Sequence, residues 1–377
     1  MTVISGSWLV DTLLLVVLLL YLFYRIFTST YDFFESRGIP YQRPVPFLGT
    51  WDIFTKSSME QANILYKSFP GERFFGYFRI RVPTLVVKDP ELIHQILVKD
   101  FSHFQNQGFG SIDGDLLSMN LFNLKGEIWR ALRNKLSPTF TSGKLKFMFS
   151  QFVTAGDHLL ENIEDSLSEE ALDAKTKCVD FGSEVIASTA FGLDFSKDSP
   201  QTIDFIKHGT KPFVKGWKMM LVFFLMHSYP KLNNILGLSL HPRNVTKYIV
   251  NLVKANKEYR KKNDIQRNDY FQLLIALQDA EERDHVSESP LLQFDNKDTN
   301  TNHEEHNHER KMKLMTDECM VAQTMVFLLA GSESVTSTLT LALYHIAKDA
   351  EVQARAVQEV ETVITRHGGW TYEAVKD

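Results

Sequence analysis

The sequence predicts a mainly α-helical protein with a small β-sheet near its N-terminal end and a membrane anchor before the sheet. Three observations lead to this α+β class. Apolar residues recur at helical spacing through most of the 377-residue chain, one stretch alternates apolar and polar residues, and the N-terminus is almost wholly apolar. The composition is 44% hydrophobic with a net charge of -5, which is typical of a globular protein and gives no indication of nucleic-acid binding.

Residues 1–27 are interpreted as an uncleaved membrane anchor. An uninterrupted apolar run from Leu13 to Tyr24 is extended on both sides to about the 20 residues that a membrane span needs. A cleaved signal peptide is the alternative, but no Lys or Arg precedes the run and no small-residue cleavage site follows it. The first positive charge, Arg25, follows the run, so the positive-inside rule predicts a cytoplasmic main body.

The next segment, residues 28–50, is predicted to be a linker that ends in a stiff, proline-rich strap, although the pattern also suits an ordinary linker. Residues 51–377 then form the main domain. In it, the alternating stretch from Arg73 to Pro90, broken by Pro83, predicts a two-stranded unit, and a helix is predicted to follow. Longer helical stretches are predicted over residues 127–172, 176–192, 201–233 and 244–281, and a mobile polar insert over 292–313.

A central helix of about 32 residues is predicted to start near Thr316 or Asp317 and to end near Lys348. Gly331 and a group of hydroxyl side chains in its middle lower its helix propensity by about 2–4 kcal/mol. Close packing against a neighbouring helix is one explanation for these small and polar residues.

A ligand that lies against the central helix is the other explanation. Ala330 and Gly331 would leave room for a flat molecule. Ser334 could bond a carbonyl of the preceding turn or release it to hold a water, and disturbed hydrogen bonding inside a helix often marks a functional site. Glu333 would place a carboxylate beside that hydroxyl, as a proton relay requires.

A second motif lies in the predicted helix GEIWRALRNKL. Trp129 and Arg133 are four residues apart and therefore share one face of this helix. An indole N–H and a permanently charged guanidinium can both reach one anionic group. The alternative is a tryptophan packed in the core beside a surface arginine.

These motifs resemble those of the cytochromes P-450, the haem-thiolate monooxygenases. Ala330 to Ser334 resembles the A-G-x-[D/E]-[T/S] segment of their central helix, and the Trp129 helix resembles their W-x-x-x-R helix. The anchor and strap resemble those of microsomal members, while FSHFQNQG and LSPTFTSGK look most like insect detoxification-type members. The resemblance covers essentially the whole chain and implies the cytochrome P-450 fold with an N-terminal anchor.

The resemblance also implies an activity, the insertion of one oxygen atom from O2 into lipophilic small molecules. It implies a haem cofactor, an NADPH-cytochrome reductase as electron donor, and an endoplasmic reticulum membrane with the main body in the cytoplasm.

The resemblance also assigns roles to single residues. By analogy, Trp129 and Arg133 would hold a haem propionate, and Ala330 and Gly331 would shape the oxygen site. Ser334 would hold the delivering water, and Glu333 would relay protons. The residues that would form apolar walls of a substrate pocket are Phe104, Phe109, Leu121 and Phe327. Arg130, Lys135, Lys144 and Lys146 would face an acidic electron donor or simply form a solvated basic face.

The family's iron-ligand loop, approximately F-x-x-G-x-x-x-C-x-G, has no counterpart in the sequence. Neither Cys178 nor Cys319 has the glycines or the setting of that loop, and the family's E-x-x-R helix is absent from its usual place. The sequence is therefore expected to be truncated before the haem-ligand cysteine and inactive by itself, although the parent protein would be a monooxygenase. The alternative is a non-catalytic fragment or degenerate copy, a membrane-tethered helical body without haem-thiolate chemistry.

Overall fold

The computed structural model describes residues 8–50, 56–107, 110–167, 171–193, 204–205, 208, 213–287 and 313–377. The polar insert predicted over 292–313 lies outside the described residues except for its last position. The described part is mainly helical with a two-stranded sheet, which confirms the predicted fold class. It divides into two compact units: the first runs to Asn106 and takes in Phe223–Asn233, and the second comprises Gln107–Val222 and Asn234–Asp377.

The elements of the described residues are as follows. The strands are β1 Phe74–Arg79 and β2 Val82–Val87. The helices are α1 Trp8–Thr28, α2 Ser58–Ser68, α3 Pro90–His94, α4 Gly126–Leu136, α5 Ser142–Asp165, α6 Ala174–Ala190, α7 Trp217–Ser228, α8 Pro230–Leu236, α9 Arg243–Lys262, α10 Tyr270–Ser287, α11 Asp317–Lys348, α12 Ala350–His367 and α13 Tyr372–Lys376. Helix α11 is the central helix.

The β-hairpin of the first unit confirms the predicted pair of strands but not the predicted position of the break. The strands are antiparallel and turn at Ile80 and Arg81, where Ile80 has a φ of 60°. Pro83 lies inside β2, opposite Phe78. The N–H of Phe78 donates to Thr50 Oγ1 (3.0 Å) and its carbonyl accepts from the Thr50 N–H (2.8 Å). Since Phe78 bonds away from β2, the missing N–H of Pro83 leaves no ladder bond unmade.

The end of α1 is bonded directly to this hairpin. Ser29 Oγ accepts from the Arg81 guanidinium (3.1 Å) and Thr30 Oγ1 donates to the Arg81 carbonyl (2.5 Å). Tyr31 OH donates to the Ile80 carbonyl (3.0 Å). The helix itself leaves its apolar side chains exposed up to Ile26. Its length and composition would allow it to cross a membrane, and this fits a membrane-anchored protein.

The central helix is also long and apolar enough to span a membrane, but it lies in the core of the second unit. It packs along α6 and buries Met320–Met325, Leu328 and Thr336. The core around it is formed by side chains from several helices, among them Leu132, Leu136, Phe191, Ile249, Phe271, Leu274, Met320 and Leu328. The predicted bounds of this helix are confirmed, with Thr316 as the N-cap whose hydroxyl accepts from the Cys319 N–H (3.1 Å).

Three of the longer predicted helical stretches are divided in the structure. The described part of 201–233 is not helical over 213–216 and is divided at Tyr229, between α7 and α8. The stretch 127–172 ends its first helix at Leu136, where a 3₁₀ turn over Ser137–Phe140 contains Pro138. Proline removes an N–H and clashes with the preceding turn, so the helix cannot continue through it. The stretch 244–281 is interrupted between Lys262 and Tyr270, where Asp264 has a φ of 49° that no α-helix accommodates.

A buried ion pair stabilises the turn between Lys262 and Tyr270. The Arg260 guanidinium donates to both oxygens of Asp269, at 2.9 and 2.7 Å, and both side chains are almost wholly buried. Gly192 has a φ of 63°, and a Cβ there would overlap the guanidinium. Glycine is therefore required both for the backbone conformation and for the close approach of Arg260.

Candidate functional site

The central helix carries an open stripe of small and polar side chains in its second half. Ala330, Glu333 and Ser334 are all exposed, whereas Met320–Met325 and Leu328 are buried. Residues three and four apart share a helix face, so these three residues lie together on one side of the helix. The stripe continues towards the C-terminal end of the helix through Ser337, Thr338 and Leu341.

Two hydroxyl groups of the open stripe are bonded back to the central helix, whereas Thr336 Oγ1 donates to the Cys178 carbonyl of α6 (3.3 Å). Ser334 Oγ donates to the Ala330 carbonyl (2.5 Å), and Thr338 Oγ1 donates to the Ser334 carbonyl (2.8 Å). Of the two arrangements expected for Ser334, the structure has the one in which the hydroxyl bonds the preceding turn. The α-helix is continuous from Asp317 to Lys348, so this bond does not interrupt the helix. Ser334 is exposed, and its Oγ can still accept a hydrogen bond from water.

Gly331 lies beside this stripe and faces α6. A Cβ at Gly331 would overlap the side chain of Ile186. On α6, a Cβ at Gly182 would lie 3.2 Å from Thr336 Oγ1. The two glycines thus let the helices approach closely, which is the packing explanation that the sequence left open. The assignment of Gly331 to a cofactor surface stays a prediction, and these contacts do not support it.

The Trp129 motif lies on α4 as expected. Leu132 and Leu136 are buried in the core, Trp129 is half-buried, and Arg133 is exposed. Among the described residues, the Arg133 side chain makes no hydrogen bond or ion pair, so its charge is available to an anion. The turn after α4 places Phe140 against Phe327 of the central helix, with ring centroids 5.0 Å apart.

Two of the four predicted pocket residues, Phe327 and Leu121, lie on or beside the central helix. Phe327 is partly buried and packs edge-on against Tyr270, with centroids 4.4 Å apart. The Leu121 N–H donates to Gln323 Oε1 (2.9 Å), one turn before Phe327. Phe104 belongs to the first unit and is exposed, and Phe109 lies outside the described residues.

The two cysteines lie on different helices, Cys319 near the start of the central helix and Cys178 in α6. Burial raises the pKa of the Cys319 thiol to about 11, so the thiol is protonated at neutral pH. Cys319 is eleven residues before Ala330, which is about 16 Å along a helix. Cys178 is buried in α6. Within the described residues, no group of three or more His, Cys, Asp and Glu side chains could hold a metal ion.

Comparison with known proteins identifies the family. The sequence profile described as cytochrome P450 matches residues 39–377. The chain belongs to the cytochrome P450 family. It is 33% identical over 352 residues to cytochrome P450 6a8 of Drosophila melanogaster. The aligned region covers 92% of this chain and 65% of that protein. The chain is 32% identical to probable cytochrome P450 6a18 of the same fly, with the same coverage, and 30% identical to cytochrome P450 6B1 of Papilio polyxenes, covering 97% of this chain and 70% of that one.

The chain is therefore an insect-type P450 sequence that spans 65% of the length of the two fly relatives. The cofactor of the family is haem, iron protoporphyrin. Two features of the described residues have the chemistry that binding such a group needs. The open stripe has the small side chain of Ala330 exposed on the central helix, and Arg133 offers a cation without a partner among the described residues.

Two residues that are not among the predicted site residues hold the surroundings of the central helix in place. Gln323 bonds the loop that carries Leu121, and Glu281 bonds the residues directly before the central helix. Glu281 accepts from the N–H groups of Met315 (2.6 Å) and Leu314 (3.1 Å) and from Lys135 Nζ (3.0 Å). A buried glutamine inside an apolar helical run was a signal for Gln323, whereas nothing local marks Glu281.

The basic residues have divided roles. Lys135 pairs with the buried Glu281, and Lys146 pairs with Glu373 at 2.7 Å. Arg130 and Lys144 are exposed and form no ion pair with any described residue. A basic surface for an electron donor would therefore depend on Arg130 and Lys144 more than on the two paired lysines.

Proposed function

We propose that the protein acts as a membrane-anchored, haem-dependent monooxygenase that inserts one oxygen atom from O2 into lipophilic small molecules, xenobiotic or endogenous. The observation that carries the proposal is the open stripe of Ala330, Glu333 and Ser334 in a chain of the P450 family. Electrons would come from NADPH through a cytochrome reductase. The apolar helix α1 would anchor the protein in the endoplasmic reticulum membrane, with the main body in the cytoplasm.

When bound, haem supplies the activation of O2 and the oxidation chemistry; the protein supplies binding, orientation and protons. Ala330 leaves room beside the helix, and Ser334 Oγ accepts a hydrogen bond from a water and orients it. Glu333, one residue earlier and exposed on the same stripe, exchanges protons with solvent. The Trp129 N–H and the Arg133 guanidinium would bind the carboxylates of the cofactor.

Arg133→Ala tests the cofactor assignment directly. A charge-assisted hydrogen bond contributes about 1.5–3 kcal/mol, so haem affinity should fall roughly 10- to 100-fold. Arg130→Ala is the matched control, because Arg130 lies on the same helix and is also exposed without an ion pair among the described residues. Haem retained by the full-length protein during gel filtration is the measurement. Equal loss from both variants would contradict the assignment of Arg133.

Ser334→Ala tests the proton-delivery role. Product formed per NADPH consumed, by the full-length protein with its reductase in microsomes, should fall several-fold, while haem content stays unchanged. Ser332→Ala is the control: Ser332 Oγ donates to the Leu328 carbonyl (2.7 Å) in the same way, but Ser332 lies on the side of the helix that faces Gly182. If the full-length protein gives no carbon monoxide difference band typical of thiolate-bound haem, the monooxygenase proposal itself is wrong.

A further inference from the structure

A buried carboxylate, Asp115, connects two segments that are far apart in the sequence. Its side chain is only 1% exposed. It accepts hydrogen bonds from Ser239 Oγ (2.6 Å), the Leu240 N–H (3.1 Å) and His241 Nδ1 (3.0 Å). Burial alone raises the pKa of Asp115, but the hydrogen bond and charge of His241 outweigh it and hold the pKa below its ordinary value. Asp115 is therefore ionised at neutral pH and depends on these donors.

The donors belong to a fixed part of the core. His241 directly precedes Pro242, the N-cap residue of α9. Helix α9 buries Val245 and Ile249 in the core, and the Leu240 carbonyl accepts from the Val214 N–H (2.8 Å). The segment that holds Asp115 thus cannot shift without moving a buried helix.

Asp115 in turn lies in a loop, residues 112–124, that is tied together internally. Ser118 Oγ accepts from the Ile112 N–H (2.8 Å) and donates to the Asp115 carbonyl (2.8 Å). Asn120 Nδ2 donates to the Leu117 carbonyl (2.8 Å). Because these bonds are buried, the loop moves as one piece, and a displacement of Asp115 is passed to the residues after Asn120.

The far end of loop 112–124 rests on the central helix. Gln323 is completely buried, accepts from the Leu121 N–H (2.9 Å) and donates to the Met119 carbonyl (3.4 Å). It lies two turns before Ala330, on the same face of the helix. The loop therefore has two attachments, one to the segment before α9 and one to the central helix, two turns before Ala330.

We propose that Asp115 and His241 are positioning residues that fix loop 112–124 over the central helix and thereby set which lipophilic molecules fit beside Leu121. The identity of the ligand depends on the proposed monooxygenase function, whereas the positioning of the loop does not. Removing the charge of Asp115 leaves the Gln323 attachment in place but frees the other end. The wall that contains Leu121 then loses its fixed distance from Phe327.

Asp115→Asn is the test, in the full-length protein in nanodiscs. Asp113→Asn is the matched control, since Asp113 lies in the same loop, is exposed, and bonds Asn234 Nδ2 (2.5 Å). Hydrogen–deuterium exchange of the 112–124 amides should become at least about tenfold faster in Asp115→Asn and stay within about twofold in the control. Protection of the amides of Met320–Leu328 and the haem content should stay unchanged.

The effect on ligand binding is measured as the dissociation constant of pyrene, a fluorescent lipophilic probe. Nanodiscs without protein give the background signal. The dissociation constant should change at least about fivefold in Asp115→Asn and less than about twofold in Asp113→Asn. Loop exchange that is the same in both variants would overturn the positioning role. If exchange changes but pyrene binding does not, Asp115 would be structural only, and the specificity part of the proposal would be wrong.

His241→Gln provides a second route in case Asp115→Asn does not fold. The double variant should show no more loop exchange than the stronger single variant, because both substitutions break one connection. Additive effects would contradict a pair that acts as a unit. The exchange rates do not depend on monooxygenase activity. The measurement can therefore confirm or refute the role of the pair even if the proposed monooxygenase function is wrong.

Discussion

Glu281→Gln should destabilise the attachment of the central helix by about 2–4 kcal/mol. The carboxylate accepts from the N–H groups of Met315 and Leu314 and from Lys135, and its side chain is 7% exposed. A glutamine has one oxygen to accept with, and its NH2 group cannot accept, so one backbone N–H loses its partner. A buried unsatisfied donor costs about 1–3 kcal/mol, and the remaining bonds lose their charge assistance.

Glu282→Gln is the matched control because it makes the same substitution at the next residue. Glu282 pairs with Lys313 at 2.9 Å, but both side chains are more than 40% exposed. An exposed pair contributes about 0–1 kcal/mol. Urea unfolding of the detergent-solubilised protein at pH 7, followed by far-UV circular dichroism, should therefore separate the two variants clearly. Equal free energies of unfolding would refute the assignment of Glu281 as a buried anchor.

The same pair of variants makes a prediction about pH. Burial raises the pKa of Glu281, but the Met315 and Leu314 N–H groups and Lys135 outweigh it, so the folded-state pKa lies below the ordinary value. The stabilisation is therefore present above the pKa of the unfolded state and is lost as pH falls through the lower pKa of the folded state. The difference between wild type and Glu281→Gln should shrink as the pH falls below about 4. A difference that grows on acidification would contradict this account.

Substitutions at Gly331 and at Asp269 test a helix contact and a buried ion pair of the second unit. Gly331→Ala should cost about 1–3 kcal/mol of unfolding free energy because its Cβ overlaps Ile186, and Ile186→Ala should relieve part of the loss. Gly156→Ala, in α5 with open space around the Cβ position, should instead stabilise by about 0.5–1 kcal/mol, so a loss at both glycines would show that packing is not the cause. Asp269→Asn should cost about 3–5 kcal/mol, since Arg260 is left buried without its carboxylate; a thermal midpoint close to that of wild type would refute this.

Local signals in the sequence were enough to predict the central helix. Thr316 caps its start, Asp317 and Glu318 follow in the first turn, and Lys348 lies in the last turn. Such signals act within one or two turns, so they carry over to the folded chain. Pro138 was an equally local signal for the end of α4, and the predicted 127–172 stretch was too long because that proline was passed over.

The surroundings of the site could not be predicted in the same way. Asp115 and His241 are 126 positions apart, and neither is unusual in its own neighbourhood. The small size of Gly331 was visible, but whether its open side receives a ligand or Ile186 depends on which helix packs there. Helical spacing shows which residues share a face of the helix. It does not show whether a neighbouring helix or a ligand packs against that face.

The bonds at the end of α1 link the orientation of the β-hairpin to that of the proposed membrane anchor. They begin at Ser29, the residue directly after the helix, and they hold the turn at Ile80 and Arg81. A membrane helix tilts when the hydrocarbon thickness around it changes. With α1 as the proposed anchor, such a tilt would be passed through these bonds to the β-hairpin, so lipids of different thickness would change the orientation of the hairpin relative to the bilayer.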